Sequence, residues 1–413
     1  MVVGIIIGAS IFVQPSEITR RVPTIGAMLL VWLLAGLLTF FGALVCAELS
    51  SAFPKTGGVY VFLKETYSPA AGFLWGWAMF WSMHSGIVAA IAVVVARYVG
   101  FFVPLGDVGV RAVAIGAILV FSAINVLGVR QGSAVQTFFT VAKVVAIVML
   151  LTMVALFAPH RAAMPSHPAT NPPLRDFVLA MVAGLFAYGG WHMVTYAAEE
   201  TREPRTTIPR ALVIGIGIVT LCYLGLNAAY VSVLPLDQVI HSQRIAADVA
   251  TAVAGPRGAA AVSIVVIVSA IGALGGVILA GPRVYFAMAR DGLLFRWIGV
   301  LHPRFQTPHI AITLQAIWAS VLVATGSYRS LFTRVVYTEW IFFALMAAGL
   351  FILRRRPDYQ PAYRTWGYPV VPILFIAFSA LIVGNQIAAE PMDSAIGLLL
   401  VIAGLPVYYF WSK

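Results

Sequence analysis

Apolar residues run along this chain in long blocks separated by short polar stretches, not in the alternation of a half-buried strand or the stripe of a surface helix. A helix rising 1.5 Å per residue needs about 20 apolar residues to cross ~30 Å of hydrocarbon. Runs of that length fall at about 24–49, 69–103, 109–128, 133–158, 176–198, 210–234, 258–286, 308–325, 329–353, 368–389 and 393–411. They predict eleven membrane spans. Before them stands MVVGIIIGASIFV at 1–13, too short to cross and without the basic start and cleavage site of a signal peptide. It reads as the later part of a first helix, the first of twelve spans, whose beginning is missing. The expected fold class is an all-α polytopic membrane protein.

Composition agrees. Of 413 residues 61% are hydrophobic and 10% charged, against roughly 25% charged in an ordinary soluble domain. A water-soluble enzyme, a secreted disulfide protein and a disordered chain are thereby excluded. Cys46 and Cys222 both lie inside apolar runs and imply packing, not a disulfide framework. Lys and Arg exceed Asp and Glu by 26 to 15. The basic residues stand a few at a time between spans, as loop charges that orient helices do, so the balance points to a lipid bilayer and not to nucleic acid. Fifteen fall in the even-numbered loops and at the C-terminus, ten in the odd-numbered loops, and Lys143 lies inside a span. The positive-inside rule then places the even-numbered loops and both termini in the cytoplasm.

Two spans carry breaks in matching places. Spans 1–5 and 6–10 form halves of similar length, residues 1–158 and 174–354, with 363–413 left for two further helices. The first helix of one half contains Gly8-Ala9-Ser10, that of the other Phe186-Ala187-Tyr188-Gly189-Gly190. Glycine leaves helical angles easily, and paired interruptions of this kind mark the binding site of inverted-repeat transporters. Unwinding frees backbone groups at mid-membrane, tolerable only where they line a cavity or meet a ligand. The half-helix beginning near Ser10 and Ile11 would offer its positive end to a carboxylate. Carbonyls of Phe186, Ala187 and Gly189 would accept from an ammonium group. The competing explanation, that the glycines only let helices pack closely, fits Gly4/Gly8, Gly72/Gly76 and Gly272/Gly276.

Four strings make the chain similar to the prokaryotic L-type amino acid transporters of the amino acid–polyamine–organocation superfamily. They are IIGASIFVQP at 6–15, AELSSAFPKTGGVYVFLKE at 47–65, FAYGGWHMVTYAAEETREPRTTIPRA at 186–211 and LAGPRVYFAMARDGLLF at 279–295. The resemblance implies a five-plus-five inverted-repeat, leucine-transporter-like fold with two extra helices, the first helix truncated in this chain. It implies amino acid transport with no cofactor and no metal, in a multi-pass protein of the bacterial plasma membrane. Where the family often reads Gly-Ser-Gly, this chain reads Gly8-Ala9-Ser10.

Polar residues inside the spans complete the candidates. Lys143 sits about 15 Å deep by helical rise, where an ammonium is costly and a functional role is the default. By resemblance it occupies the place of a sodium ion in sodium-coupled relatives and ties helix 5 to helices 1 and 8. Glu339 lies at similar depth in span 10, as a gate residue, proton site or structural partner. His84 and His192 read first as hydrogen-bonded packing, with no metal-ligand spacing around them. Trp191 and Tyr188 read as cavity walls. The 49–66 loop reads as an interfacial segment, and the acids and arginines at 199–205 as gate pairs or solvated charges. The expected function is sodium-independent exchange of small or medium neutral L-amino acids by alternating access. The alternatives are a proton-coupled amino acid or polyamine symporter, or an inactive truncated form.

Overall fold

The computed structural model describes residues 1–8, 10–157, 172–326 and 328–411, with the backbone alone described at 129–136, 328–336 and 411. Every regular element among them is helical. In chain order they are α1 (Val2–Ile6), α2 (Gln14–Arg21), α3 (Ile25–Ala52), α4 (Val59–Thr66), α5 (Pro69–Ala78), α6 (His84–Val99), α7 (Asp107–Leu127), α8 (Val129–Phe157) and α9 (Leu174–Ala187). There follow α10 (Pro204–Val233), α11 (Leu236–His241), α12 (Ile245–Ala280), α13 (Pro282–Arg290), α14 (His309–Thr325), α15 (Tyr328–Leu353), α16 (Val370–Ala389), α17 (Pro391–Ile402) and α18 (Gly404–Trp411). Among the described residues nine helical stretches are long and apolar enough to cross a membrane, and His309–Thr325 and Tyr337–Leu353 are shorter apolar helices. The chain is a multi-pass membrane protein.

The layering follows from which helices hide their apolar surface. Within the apolar 18-residue core of Pro69–Val99 and of Leu174–Glu200, 83% of residues are buried, against 22% in those of Asp107–Leu127 and Thr137–Phe157. The first two, with α1 beside them, form the centre, and the others wrap it. Outward-facing Phe138, Met149, Leu156 and Leu221 are at least 66% exposed, an arrangement stable in lipid and not in water.

Two spans depart from their expected course. Helix 1 does not end at residue 13: after a 3₁₀ turn at Ser10–Phe12 it resumes as α2 and runs to Arg21. Pro15 explains this, since in the first turn of a helix it forfeits no hydrogen bond and starts the second half instead of stopping the first. Span 8 begins earlier than expected. α12 starts at Ile245, with Gly255 at φ +68° before Pro256, and α13 continues it to Arg290. The 49–66 segment folds as the short helix α4, and span 3 carries one π-helical turn at Met79–Met83.

The loops separate into two groups. Arg20 donates to the Ile240 carbonyl, Arg244 lies over Phe101, and Arg111 donates to the Ala324 carbonyl, so the 1–2, 7–8, 3–4 and 9–10 loops meet at one face. The 2–3, 6–7, 8–9 and 10–11 loops meet at the other.

Candidate functional site

The site forms where helix 1 and helix 6 lose their regular course. α1 stops at Ile6, and Ile7 (ψ +79°) leaves the helical region. The Gly8 N–H then turns back to the Ile6 carbonyl at 2.7 Å. In helix 6, α9 ends at Ala187, Gly190 adopts φ +91°, and a 3₁₀ helix runs on over Trp191–Glu200. Only glycine takes that angle without strain, and a Cβ there would also stand 2.6 Å from the Ile5 side chain. The two breaks thus face each other across a distance that Gly190 permits.

Between them lies a cavity of about 30 Å³. Gly8 and Ser10 line it from helix 1, and Phe186, Gly189, Gly190 and Trp191 from helix 6. Glu339, Trp340 and Phe343 of α15 close the opposite side. Of the other expected substrate contacts, Ile11 is fully buried elsewhere, and neither Ala187 nor Tyr188 reaches the cavity. The Tyr188 hydroxyl turns away to the Trp32 carbonyl at 3.2 Å. Ala9 lies outside the described residues.

Two of the three carbonyls expected to receive an ammonium already hold a proton donor. The Phe186 carbonyl accepts from Gly189 N–H at 3.0 Å. The Ala187 carbonyl accepts from the Tyr223 hydroxyl at 2.9 Å, and the same hydroxyl lies 2.9 Å from the Ile6 carbonyl. A carbonyl oxygen has two lone pairs, so the Tyr223 hydroxyl does not exhaust the Ala187 carbonyl. Tyr223 links the two broken helices directly and is not among the residues the sequence singles out. A tyrosine hydroxyl deep in span 7 is the signal that marks it, for the reason that applied to Lys143.

Lys143 does not line the cavity. Its ammonium is buried and donates to the Gly4, Ile7 and Ser269 carbonyls at 2.8, 2.6 and 3.2 Å. It therefore binds α8 to the broken part of helix 1 and to α12. Glu339 is not among its partners. That carboxyl group is 4% exposed, and its Oε1 has no hydrogen-bond partner among the described residues.

The histidines lie behind the wall. His84 Nε2 meets the Val277 carbonyl at 2.8 Å. His192 is boxed by the rings of Trp75, Trp191, Tyr196 and Phe343 and finds no hydrogen-bond partner for either nitrogen among the described residues.

Polar contacts close the face where the 2–3 loop lies. Asp291 receives the Tyr60 hydroxyl at 2.5 Å and the Lys64 ammonium at 2.7 Å. Burial, and then Asp291 itself, push the Tyr60 phenol far above its ordinary range, so it stays a donor. Arg283 holds both carboxylate oxygens of Glu200 at 2.8 and 2.9 Å. Gly58, at φ +51°, lets α4 approach Thr195, because a Cβ there would stand 2.2 Å from its hydroxyl. Buried Glu48 takes a bidentate grip from Arg354 at 2.9 and 2.6 Å and a backbone N–H from Thr365 at 2.6 Å.

A small mid-membrane cavity between two interrupted helices, sealed at one face by ion pairs, defines a multi-pass transporter of small solutes. The amino acid permease family model matches residues 1–405. The chain is 32% identical to the serine/threonine exchanger SteT of Bacillus subtilis, over 100% of this chain and 95% of the relative. It is 31% identical to the human b(0,+)-type amino acid transporter 1, over 100% of this chain and 86% of the relative. The human large neutral amino acids transporter small subunit 2 is 30% identical, over 100% and 79%. This chain belongs to the amino acid permease family, and to its L-type transporter branch, as the four sequence strings imply.

Proposed function

We propose that the protein exchanges small or medium neutral L-amino acids across the bacterial plasma membrane without sodium. Alternating access would arise between two inverted repeats, 1–158 and 174–354, with helices 11 and 12 outside them. The substrate carboxylate sits at Gly8 and Ser10, and its ammonium meets the carbonyls of Phe186 and Gly189, both of which line the cavity. The termini and the even-numbered loops lie in the cytoplasm, so the Asp291 and Glu200 contacts close the cytoplasmic gate. The exchangers and transporters among the relatives support the reading.

The observation that carries it is the Lys143 ammonium on the Gly4 and Ile7 carbonyls at the break of helix 1 and the Ser269 carbonyl of α12. Those oxygens are the kind of ligand set a sodium ion would need, and a fixed positive charge among them repels one. The test is uptake of labelled amino acids into proteoliposomes, with and without internal amino acid and with and without sodium. Uptake that requires internal amino acid and ignores sodium is expected. Uptake driven by a sodium or proton gradient alone, or confined to arginine and putrescine, overturns the reading.

A further inference from the structure

The cavity wall holds one ionisable side chain among the described residues, and one of its carboxyl oxygens has no hydrogen-bond partner among them. Glu339 stands in α15 between the apolar rings of Trp340 and Phe343 and the backbone of the two breaks. Its side chain is 4% exposed and its Oε1 lacks a hydrogen-bond donor. Lys143, the other charge at this depth, is already held by three carbonyls and does not pair with it. A buried carboxyl oxygen without a donor costs stability that an apolar residue of similar size would not. The group therefore has a partner that arrives from outside the protein, and the cavity is where it arrives.

The shape of the cavity says what kind of donor that is. About 30 Å³ lies open between Trp191, Trp340 and Phe343, one water molecule's share of volume. The cavity has to widen to take any amino acid. A side chain that ends in a hydroxyl one carbon from the α-carbon asks for little widening, and that of lysine or arginine for far more. The two breaks supply groups for the α-carboxylate and α-ammonium, which leaves the α6, α12 and α15 walls to meet the side chain; Ile87, Ile91, Val277, Trp340 and Phe343 there are apolar or aromatic, and Glu339 carries the carboxyl group. In either protonation state a carboxyl group keeps an accepting oxygen.

We propose that Glu339 is the specificity-determining residue of the cavity: its Oε1 accepts a hydrogen bond from the substrate's β-hydroxyl and selects hydroxylated amino acids over aliphatic ones of equal size. The inference rests on the cavity being the amino acid site, and it adds a residue and a chemical rule to that reading. A site built around such a bond rejects the analogue lacking it, because the polar group is left unpaired.

The test compares matched pairs, serine against alanine and threonine against valine. Binding is read from quenching of tryptophan fluorescence, since Trp191 and Trp340 line the cavity, and exchange is read in proteoliposomes. The wild-type protein is expected to favour serine over alanine by roughly tenfold or more. Glu339→Leu, checked for a monodisperse gel-filtration peak, should bring that ratio to within about twofold. Glu339→Gln keeps an accepting oxygen and should restore most of the preference. An unchanged serine-to-alanine ratio in Glu339→Leu overturns the proposal. So does tighter wild-type binding of lysine or ornithine than of serine, or loss of all binding in Glu339→Gln. If serine binds selectively but no amino acid exchanges, the carrier reading fails and the assignment of Glu339 stands.

Discussion

The ammonium of Lys143 lies 2.6 Å from the carbonyl oxygen of Ile7, at the residue where helix 1 leaves helical geometry. That oxygen has lost its helical donor, and the lysine replaces it across the bundle from α8. Lys143→Ala removes the donor from the Gly4 and Ile7 carbonyls at the break of helix 1, and a buried carbonyl costs about 1–3 kcal/mol when left unsatisfied. The expected result is loss of most exchange activity, with the helical fold retained by circular dichroism. Wild-type rates should be equal in sodium and choline media.

Glu48 predicts a stability effect with no site chemistry in it. The carboxylate is fully buried beneath Arg354 and the Thr365 N–H. Glu48→Ala leaves the guanidinium without its carboxylate, but Arg354 is partly exposed and still lies over the Tyr368 ring, so the cost falls below the about 3–5 kcal/mol of breaking a fully buried pair. A fall in melting temperature in detergent should accompany loss of expression. An unshifted melting curve would show that the pair contributes little.

Gly190→Ala tests the close approach of the two breaks. The new methyl group meets the Ile5 side chain at 2.6 Å, and the backbone is held at φ +91°. A left-handed angle alone costs an L-residue about 1–2 kcal/mol. Reduced substrate affinity is expected as well as reduced stability, because the methyl group would push α1 away from helix 6. An affinity equal to wild type would place the substrate elsewhere.

The Asp291 contacts should govern leakage and not folding. Lys64 and Asp291 are both partly exposed, and such pairs contribute about 0–1 kcal/mol. Asp291→Ala is expected to leave the melting temperature nearly unchanged and to raise efflux from loaded vesicles. Tyr60 adds a sign to the pH dependence. Its phenol is held above its ordinary range by burial, then by Asp291, so the folded state favours the protonated ring. Its contribution is complete below pH ~10, the unperturbed tyrosine value, and declines as pH rises beyond it. Efflux that rose already at pH ~8 would contradict this assignment.

The sequence reveals the membrane spans because twenty apolar residues in a row have few other stable uses. It also reveals both breaks, since the glycines sit where a helix would otherwise continue. It misplaces the ends of spans 1 and 8, because the polar residues of Gln14–Arg21 continue helix 1 as α2, and a helical stretch from Ile245 precedes Gly255 and Pro256 in α12. The glycine pairs divide as the structure dictates. A Cβ at Gly4, Gly76 or Gly272 would strike Thr140, Met288 or Phe139, which is helix packing. The side chains facing the breaks from α6, α12 and α15 depend on three-dimensional proximity, and nothing local distinguishes Ile87, Val277 or Phe343 from other apolar residues of their spans. Glu339 is legible as a buried acid. That it faces the cavity, and not Lys143, is not.

The Tyr223 hydroxyl has one proton and two oxygen acceptors, Ile6 of helix 1 and Ala187 of helix 6, each 2.9 Å away. It works as a rivet through two planks. Any movement that pulled helix 1 from helix 6 would have to part this fully buried hydroxyl from one of the two carbonyls it lies between. A movement that keeps it intact swings both helices together, with α10 carried along. The cheaper motion is thus a tilt of one riveted unit against the helices around it.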